Sequence, residues 1–172
     1  MAGLFFGNRD INVKIQAQPR FQFGFLNKTL LATIEADIPL LKLNGDAAKA
    51  ELQKYLTDNS LTAPNLLKAV EIFVGQSDNS GNPIVPEYLY VIGEKDTTEV
   101  LSVTALTAAI EAATPSNDFY GIVPVFYNTE FNTWFQTYGA GKRRVMCIYT
   151  DNKSIVLADT EKSDRILGIY DG

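Results

Sequence analysis

Residues 119–150 have the sequence FYGIVPVFYNTEFNTWFQTYGAGKRRVMCIYT, in which two apolar runs flank an amphipathic stretch. The runs at 119–125 and 144–150 are short and mostly apolar, which is typical of strands covered on both faces of a sheet. A strand, a helix and a second strand in this order predict a right-handed crossover between parallel strands. The helix is predicted from four aromatic residues at i, i+3, i+4 and i+7, namely Phe131, Trp134, Phe135 and Tyr138.

The ends of this helix carry residues that favour helix termini. Asn128 is a predicted N-cap, and Gly139 and Gly141 are predicted to end the helix. The glycines resemble a phosphate-binding loop, but the glycine spacing is wrong and the loop follows a helix instead of a strand. We interpret the segment either as a helix end followed by a basic entry into the next strand, or as a basic patch that docks on an acidic neighbour. The patch consists of Lys142, Arg143 and Arg144.

The same alternation of helices and strands extends in both directions from this unit. Further apolar strands are predicted at 88–92 and 165–170. Helices are predicted at 47–56, after Thr62 as N-cap with Pro64 in the first turn, and after Ser102 or Thr104. Strands separated by single helices predict an α/β fold with a mainly parallel sheet and helices on both faces.

The first part of the chain has a different pattern. Apolar residues alternate with polar ones in two short runs, which predicts half-buried strands. Pro19 separates the runs, and residues 30–34 could prolong the second one. We therefore expect a β-rich arm at 1–40 and an α/β domain at 41–172. The runs contain Ile11, Val13 and Ile15, then Phe21, Phe23 and Phe25.

The composition excludes several kinds of chemistry. The chain has 172 residues, 20 acidic and 15 basic side chains, no histidine and one cysteine. It therefore cannot use a histidine base, a histidine metal ligand or an intrachain disulfide. A net charge of −5 is atypical of a domain that binds nucleic acid directly, and no segment is apolar over the length of a membrane span. We expect neither an enzyme nor a cofactor-binding or metal-binding protein.

Three further candidates have simpler interpretations. The carboxylates of Asp118, Glu130 and Asp151 lie near predicted element ends and could hold an ion, but solvated or capping carboxylates are commoner. Trp134 could stack on a ligand, but its helical spacing favours a place in the core. Cys147 lies inside an apolar strand, which favours a buried, unreactive thiol.

A resemblance to a known family rests on the order of seven stretches along the chain. They are 65–76 (NLLKAVEIFVGQ), 88–93 (YLYVIG), the helix at 104–113, 117–122 (NDFYGI), the helix of Trp134, 142–150 and 165–170 (RILGIY). This order resembles the α/β core of tail sheath proteins from contractile-tailed phages, over about residues 60 to 172. Members of that family are usually longer, with a further C-terminal domain, so the resemblance implies a truncated or shortened member or a different tail protein on this core.

The resemblance implies a structural virion protein, located in the phage tail and in the host cytoplasm during assembly. Its implied partners are copies of itself, as a homo-oligomer or helical polymer, and a tail tube protein. Strand addition by the arm and charge complementarity would join the copies. The candidate contacts are Ile11, Val13, Ile15, Phe21, Phe23, Lys142, Arg143 and Arg144.

The residues leave other functions open. The same core would suit another tail or baseplate protein or a host-side adaptor. An α/β ligand-binding domain or enzyme would place its site at the carboxyl ends of the strands, near Asp118 or Asp151. Polymers in solution would favour the structural hypothesis, whereas a monomer that a nucleotide stabilises against heat would favour the ligand-binding one.

Overall fold

A computed structural model describes residues 28–78, 80–96, 103–113, 119–142, 144–150 and 166–170. The strands in these residues are β1 (Thr29–Thr33), β2 (Ile38–Asn44), β3 (Tyr88–Gly93), β4 (Gly121–Pro124), β5 (Val145–Thr150) and β6 (Ile166–Tyr170). The helices are α1 (Ala48–Asp58), α2 (Pro64–Val74), α3 (Thr104–Ala113) and α4 (Thr129–Lys142). None of these helices has the length and hydropathy needed to cross a membrane.

The six strands form one sheet in the order β2-β3-β1-β4-β5-β6. β2 pairs antiparallel with β3, and the other neighbours pair parallel. The predicted α/β class with a mostly parallel sheet is confirmed, as are the strands predicted near 88–92, 119–125, 144–150 and 165–170. Their apolar runs fit these strands because a strand covered on both faces of a sheet buries all of its side chains.

Helices cover both faces of the sheet. On one face, which we name the α1–α2 face, Leu31, Leu89 and Val91 pack with apolar residues of α1 and α2. On the other, the α3–α4 face, Leu30 and Ile122 pack with apolar residues of α3 and α4. Successive strand residues point to opposite faces, which explains why Leu30 and Leu31 belong to different clusters.

The connections follow a constant handedness. The chain leaves β1, forms the edge strand β2, and returns to β3 through α1 and α2 on the α1–α2 face. It then moves across the sheet in the opposite direction, from β3 to β4 through α3 and from β4 to β5 through α4. Both of these helices pack on the α3–α4 face, as crossovers of one hand require.

The predicted boundary at residue 40 does not separate an arm from the α/β unit. Residues 29–33, which we assigned to the arm, form β1 in the middle of the sheet, between β3 and β4, and residue 40 lies within β2. Lys28 has φ of 68°, so the chain turns immediately before β1 instead of continuing an earlier strand into it. Burial on both faces drives this placement, because all five β1 residues are buried. The alternating residues Ile11, Val13, Ile15, Phe21 and Phe23 lie outside the described residues.

The end of α4 also differs from the prediction. The helix continues through Gly139 and Gly141 to Lys142. A Cβ atom at Gly139 would lie 2.8 Å from ring atoms of Phe135, so this glycine permits close packing and does not mark a helix end. The other end is confirmed, because the Asn128 Oδ1 accepts a hydrogen bond of 2.8 Å from the Phe131 N–H.

Candidate functional site

The carboxyl ends of β1 and β3 carry a group of acidic residues. In open α/β sheets this end of the strands is where ligands bind. The loop after β1 is held against the loop after β3, because the Glu94 N–H donates to the Thr33 carbonyl and the Asp96 N–H to the Ile34 carbonyl, each at 3.1 Å. We name this surface the acidic end. Its carboxylates are those of Glu35, Asp37, Glu94 and Asp96.

Glu35 has a defined structural role at this end. Its Oε1 accepts hydrogen bonds from the Asn65 N–H at 3.2 Å and the Asn65 Nδ2 at 2.7 Å, and its Oε2 accepts one of 3.0 Å from the Leu66 N–H. The carboxylate therefore binds the N–H groups that the first turn of α2 leaves unpaired, where the helix dipole also favours negative charge. The predicted N-cap at Thr62 is wrong, because the helix begins after Ala63 without a local side-chain cap.

Sequence reasoning missed this role of Glu35. Asn65 lies 30 residues further along the chain, so no local capping pattern joins the two. The contact exists because β1 is central and α2 packs beside it, which is a consequence of the tertiary fold. The only available signal was a helix that begins with Pro64 and lacks a strong N-cap residue immediately before it.

The junction between β1 and β4 is also occupied by structural hydrogen bonds. The Val125 N–H donates to the Ala32 carbonyl at 2.8 Å, which continues the pairing past the end of β4. Asn128 follows and caps α4 through its Oδ1. In doubly wound sheets, ligands bind at the point where neighbouring crossover connections lie on opposite faces of the sheet. Here the connection after β1 runs on the α1–α2 face, and the connection into β4 runs on the α3–α4 face. Two polar side chains at this point, of Glu35 and Asn128, hold helix ends.

Two members of the predicted basic patch, Lys142 and Arg144, lie just before the amino end of β5, and one of them is misassigned. Arg144 is buried, with 9% of its surface exposed, and its guanidinium carbon lies 3.9 Å from the centroid of the Phe119 ring. The Val145 N–H donates to the Tyr120 carbonyl at 3.1 Å, which fixes the backbone next to it. A cation over an aromatic face is attracted by the ring quadrupole, so Arg144 belongs to the packing below the surface. Lys142 is the last residue of α4, and Arg143 lies outside the described residues.

The aromatic helix face is confirmed in the core, with Trp134 at its margin. Phe131 and Phe135 are fully buried and Tyr138 nearly so, whereas Trp134 is half-buried and packs against them. The Trp134 ring stacks on Tyr138 with centroids 4.6 Å apart and an interplanar angle of 15°. Its Nε1 donates a hydrogen bond of 2.6 Å to the Glu111 Oε1 on α3. The indole thus joins α3 to α4, and it is less buried than we expected.

The other candidates give no metal centre in the described part of the chain. Glu130 is exposed in the first turn of α4, and Asp118 and Asp151 lie outside the described residues. No group of three or more potential metal-binding side chains occurs among the residues that were described. Cys147 is partly buried, and burial raises the pKa of its thiol to about 11, which keeps the sulfur protonated and weakly nucleophilic at neutral pH.

Comparison of the chain with protein-family models, with curated proteins and with solved structures gives no match.

Proposed function

We propose that this protein is a structural subunit of a contractile phage tail, related to the sheath, which assembles from copies of itself. The proposal starts from the resemblance of residues 60–172 to the sheath core. What supports it is that the elements in this region form an α/β layer structure in the order that the resemblance implies. A tail tube protein would be its second partner, and the virion tail its location.

The observation that carries the proposal is the separation of charge between the two ends of the sheet. The acidic end lies at the carboxyl ends of β1 and β3. α4 leads from the carboxyl end of β4 to the amino end of β5, so its last residue, Lys142, lies at the opposite end. Opposite charge at opposite ends favours head-to-tail contact between identical subunits, with each acidic end facing a basic one.

Head-to-tail contact has a direct consequence for assembly. Such an interface uses two different surfaces on each copy, so it produces a ring or an open helical polymer instead of a closed two-fold dimer. The run of Ile11, Val13 and Ile15 would add a second link through strand addition to a neighbour's sheet, since main-chain hydrogen bonds can join subunits without an exact match of side chains.

The alternative of a ligand-binding α/β domain receives less support from this geometry. A ligand at the divergence of the crossovers would need free polar groups there. Glu35 and Asn128 both use their side-chain oxygens to bind backbone N–H groups of helices. A ligand that took these oxygens would remove helix caps, at a cost of about 1 kcal/mol each.

Charge reversal at the basic end tests the proposal. We expect Lys142→Glu with Arg143→Glu to slow the rise in light scattering of the concentrated full-length chain, most strongly at low ionic strength, where screening is weakest. The control is Lys54→Glu with Lys68→Glu, which makes the same change in net charge at exposed positions of α1 and α2. Equal assembly by both variants and by the unaltered chain, at every salt concentration, would refute the proposed contact.

A further inference from the structure

One part of the α1–α2 face is only partly covered by the described core clusters. Met146 on β5 packs into the cluster of the α3–α4 face, so its neighbours Val145 and Cys147 point to the α1–α2 face. Val123 on β4 still packs against the α1–α2 cluster, but Val145 and Cys147 belong to neither cluster as described. We name these three residues the β5 stripe. They are apolar and only partly buried.

The crossover connections of the chain itself are not expected to lie over this stripe. α1 and α2 lie over the half of the sheet that contains β1, β2 and β3. The connection from β5 to β6 moves across the sheet in the same direction as those made by α3 and α4. Parallel crossovers are right-handed with few exceptions, so that connection is expected on the α3–α4 face as well. Of the sequence outside the described residues, the segment before β1 is then the candidate for covering the β5 stripe.

We propose that the second alternating run of the same chain, Phe21, Phe23 and Phe25, lies across the β5 stripe and completes this face of the core. The proposal is independent of self-assembly. It leaves the run of Ile11, Val13 and Ile15 for contact with a neighbour, and it assigns Phe21 and Phe23 to the folding of the subunit itself.

The entry point of the chain into the sheet supports this assignment. The Lys28 carbonyl accepts a hydrogen bond of 2.8 Å from the Tyr120 N–H, so the chain reaches β1 directly beside the start of β4. β5 is two strands from β1, which is about 10 Å at the usual strand spacing. An extended chain spans about 3.3 Å per residue, so Phe21 can reach about 20 Å from Lys28. A tethered segment at this distance has a high effective concentration at the stripe.

The chemistry of the two partners also agrees. Three phenylalanines at alternate positions give one wholly apolar face, which matches a surface of two valines and a thiol. Burial raises the pKa of Cys147 to about 11, although this residue belongs to neither described core cluster. An apolar segment on the stripe would provide this shielding, since burial in apolar surroundings disfavours the thiolate.

The chain contains its own reporters for the test. Cys147 is its single cysteine and points to the α1–α2 face, whereas Trp134 is its single tryptophan and packs on the α3–α4 face. In the full-length chain we expect Phe21→Ser with Phe23→Ser to raise the rate at which Cys147 reacts with a thiol reagent at least tenfold. Trp134 fluorescence should stay unchanged. The matched control is Gln22→Ser with Gly24→Ser, at the alternate positions of the same segment, which should leave the rate unchanged.

The other outcomes overturn the proposal. An unchanged rate in the phenylalanine variant would show that these residues do not cover the stripe. If the rate at which Cys147 of the unaltered chain reacts with the thiol reagent rises on hundredfold dilution, a second copy covers the stripe. A shift of Trp134 fluorescence together with the thiol rate would show that the run supports the whole fold, because both faces would then have loosened.

Discussion

The two helical layers of this protein are built from different side chains. The fully buried helix residues of the layer of α1 and α2 are aliphatic, with Leu52, Leu66 and Val70 among them, and its aromatic residues Tyr55 and Phe73 are only partly buried. The layer of α3 and α4 is rich in aromatic rings that contact one another in series. Its ring pairs, with the distance between centroids, are Phe126–Phe131 at 5.2 Å, Phe131–Trp134 at 5.0 Å and Trp134–Tyr138 at 4.6 Å.

The polar contacts of the two layers differ in the same way. The aliphatic layer is attached through carboxylates, because Glu35 caps α2 and Glu51 on α1 accepts hydrogen bonds from the Asn44 N–H and the Asn44 Nδ2. A salt bridge of 3.1 Å between Lys49 and Glu71 joins its two helices. The aromatic layer has a carboxylate contact in the hydrogen bond from Trp134 to Glu111, but it depends mainly on the area and the interlocking of its rings. We therefore expect truncation to damage the aromatic layer most, and loss of a carboxylate to damage the aliphatic one.

The largest expected effect is at Phe135. Phe135→Ala should lower the free energy of unfolding by about 3–5 kcal/mol, because the ring is fully buried and Gly139 leaves no side chain that could fill the cavity. This loss in the free energy of unfolding can be measured by chemical denaturation, with Trp134 fluorescence as the signal. The control is Ile72→Ala on α2, where 52% of the residue is exposed and a change within about 0.5 kcal/mol is expected. A loss at Phe135 as small as that at Ile72 would refute the aromatic core.

The aromatic layer was predictable because its signal is local. Four rings at helical spacing define one face of α4 whatever the rest of the fold does, and Asn128 lies directly before the helix that it caps. The position of β1 was not predictable from such a pattern, since a short apolar run can form an edge strand or a central one. Only pairing with β3 and β4 decides between them. The same limit explains the error at Arg144, whose partner Phe119 lies 25 residues earlier in the chain, just before β4.

A smaller effect is expected at the attachment of α2. Glu35→Ala should lower the free energy of unfolding by about 1–2 kcal/mol, because it removes the acceptor for two backbone N–H groups at the start of the helix. Hydrogen exchange should show the loss as faster exchange of the Leu66 amide. Glu94→Ala at the same end of the sheet is the control. If both substitutions destabilise the protein equally, the effect comes from the charge of the acidic end and not from the cap.

The smallest expected effect is at the salt bridge between α1 and α2. The hydrogen bond and charge of Lys49 lower the pKa of Glu71, with a further contribution from Lys68. A lowered pKa means that the bridge stabilises the fold above the ordinary glutamate pKa and loses this effect as the pH falls through the lowered value. Lys49→Gln should move the Glu71 pKa up toward its usual value in an NMR titration. Lys54→Gln, whose partner is Asp58, should leave it unchanged.

The central claim is that copies of this chain join head to tail, and the mass of the full-length protein in solution tests it most directly. Light scattering after size exclusion, across a wide concentration range at low salt, should show a mass that rises with concentration. Electron microscopy of the concentrated sample should then show rings, tubes or helical polymers. A mass that stays at the monomer value of 19.0 kDa at every concentration and salt would contradict the claim.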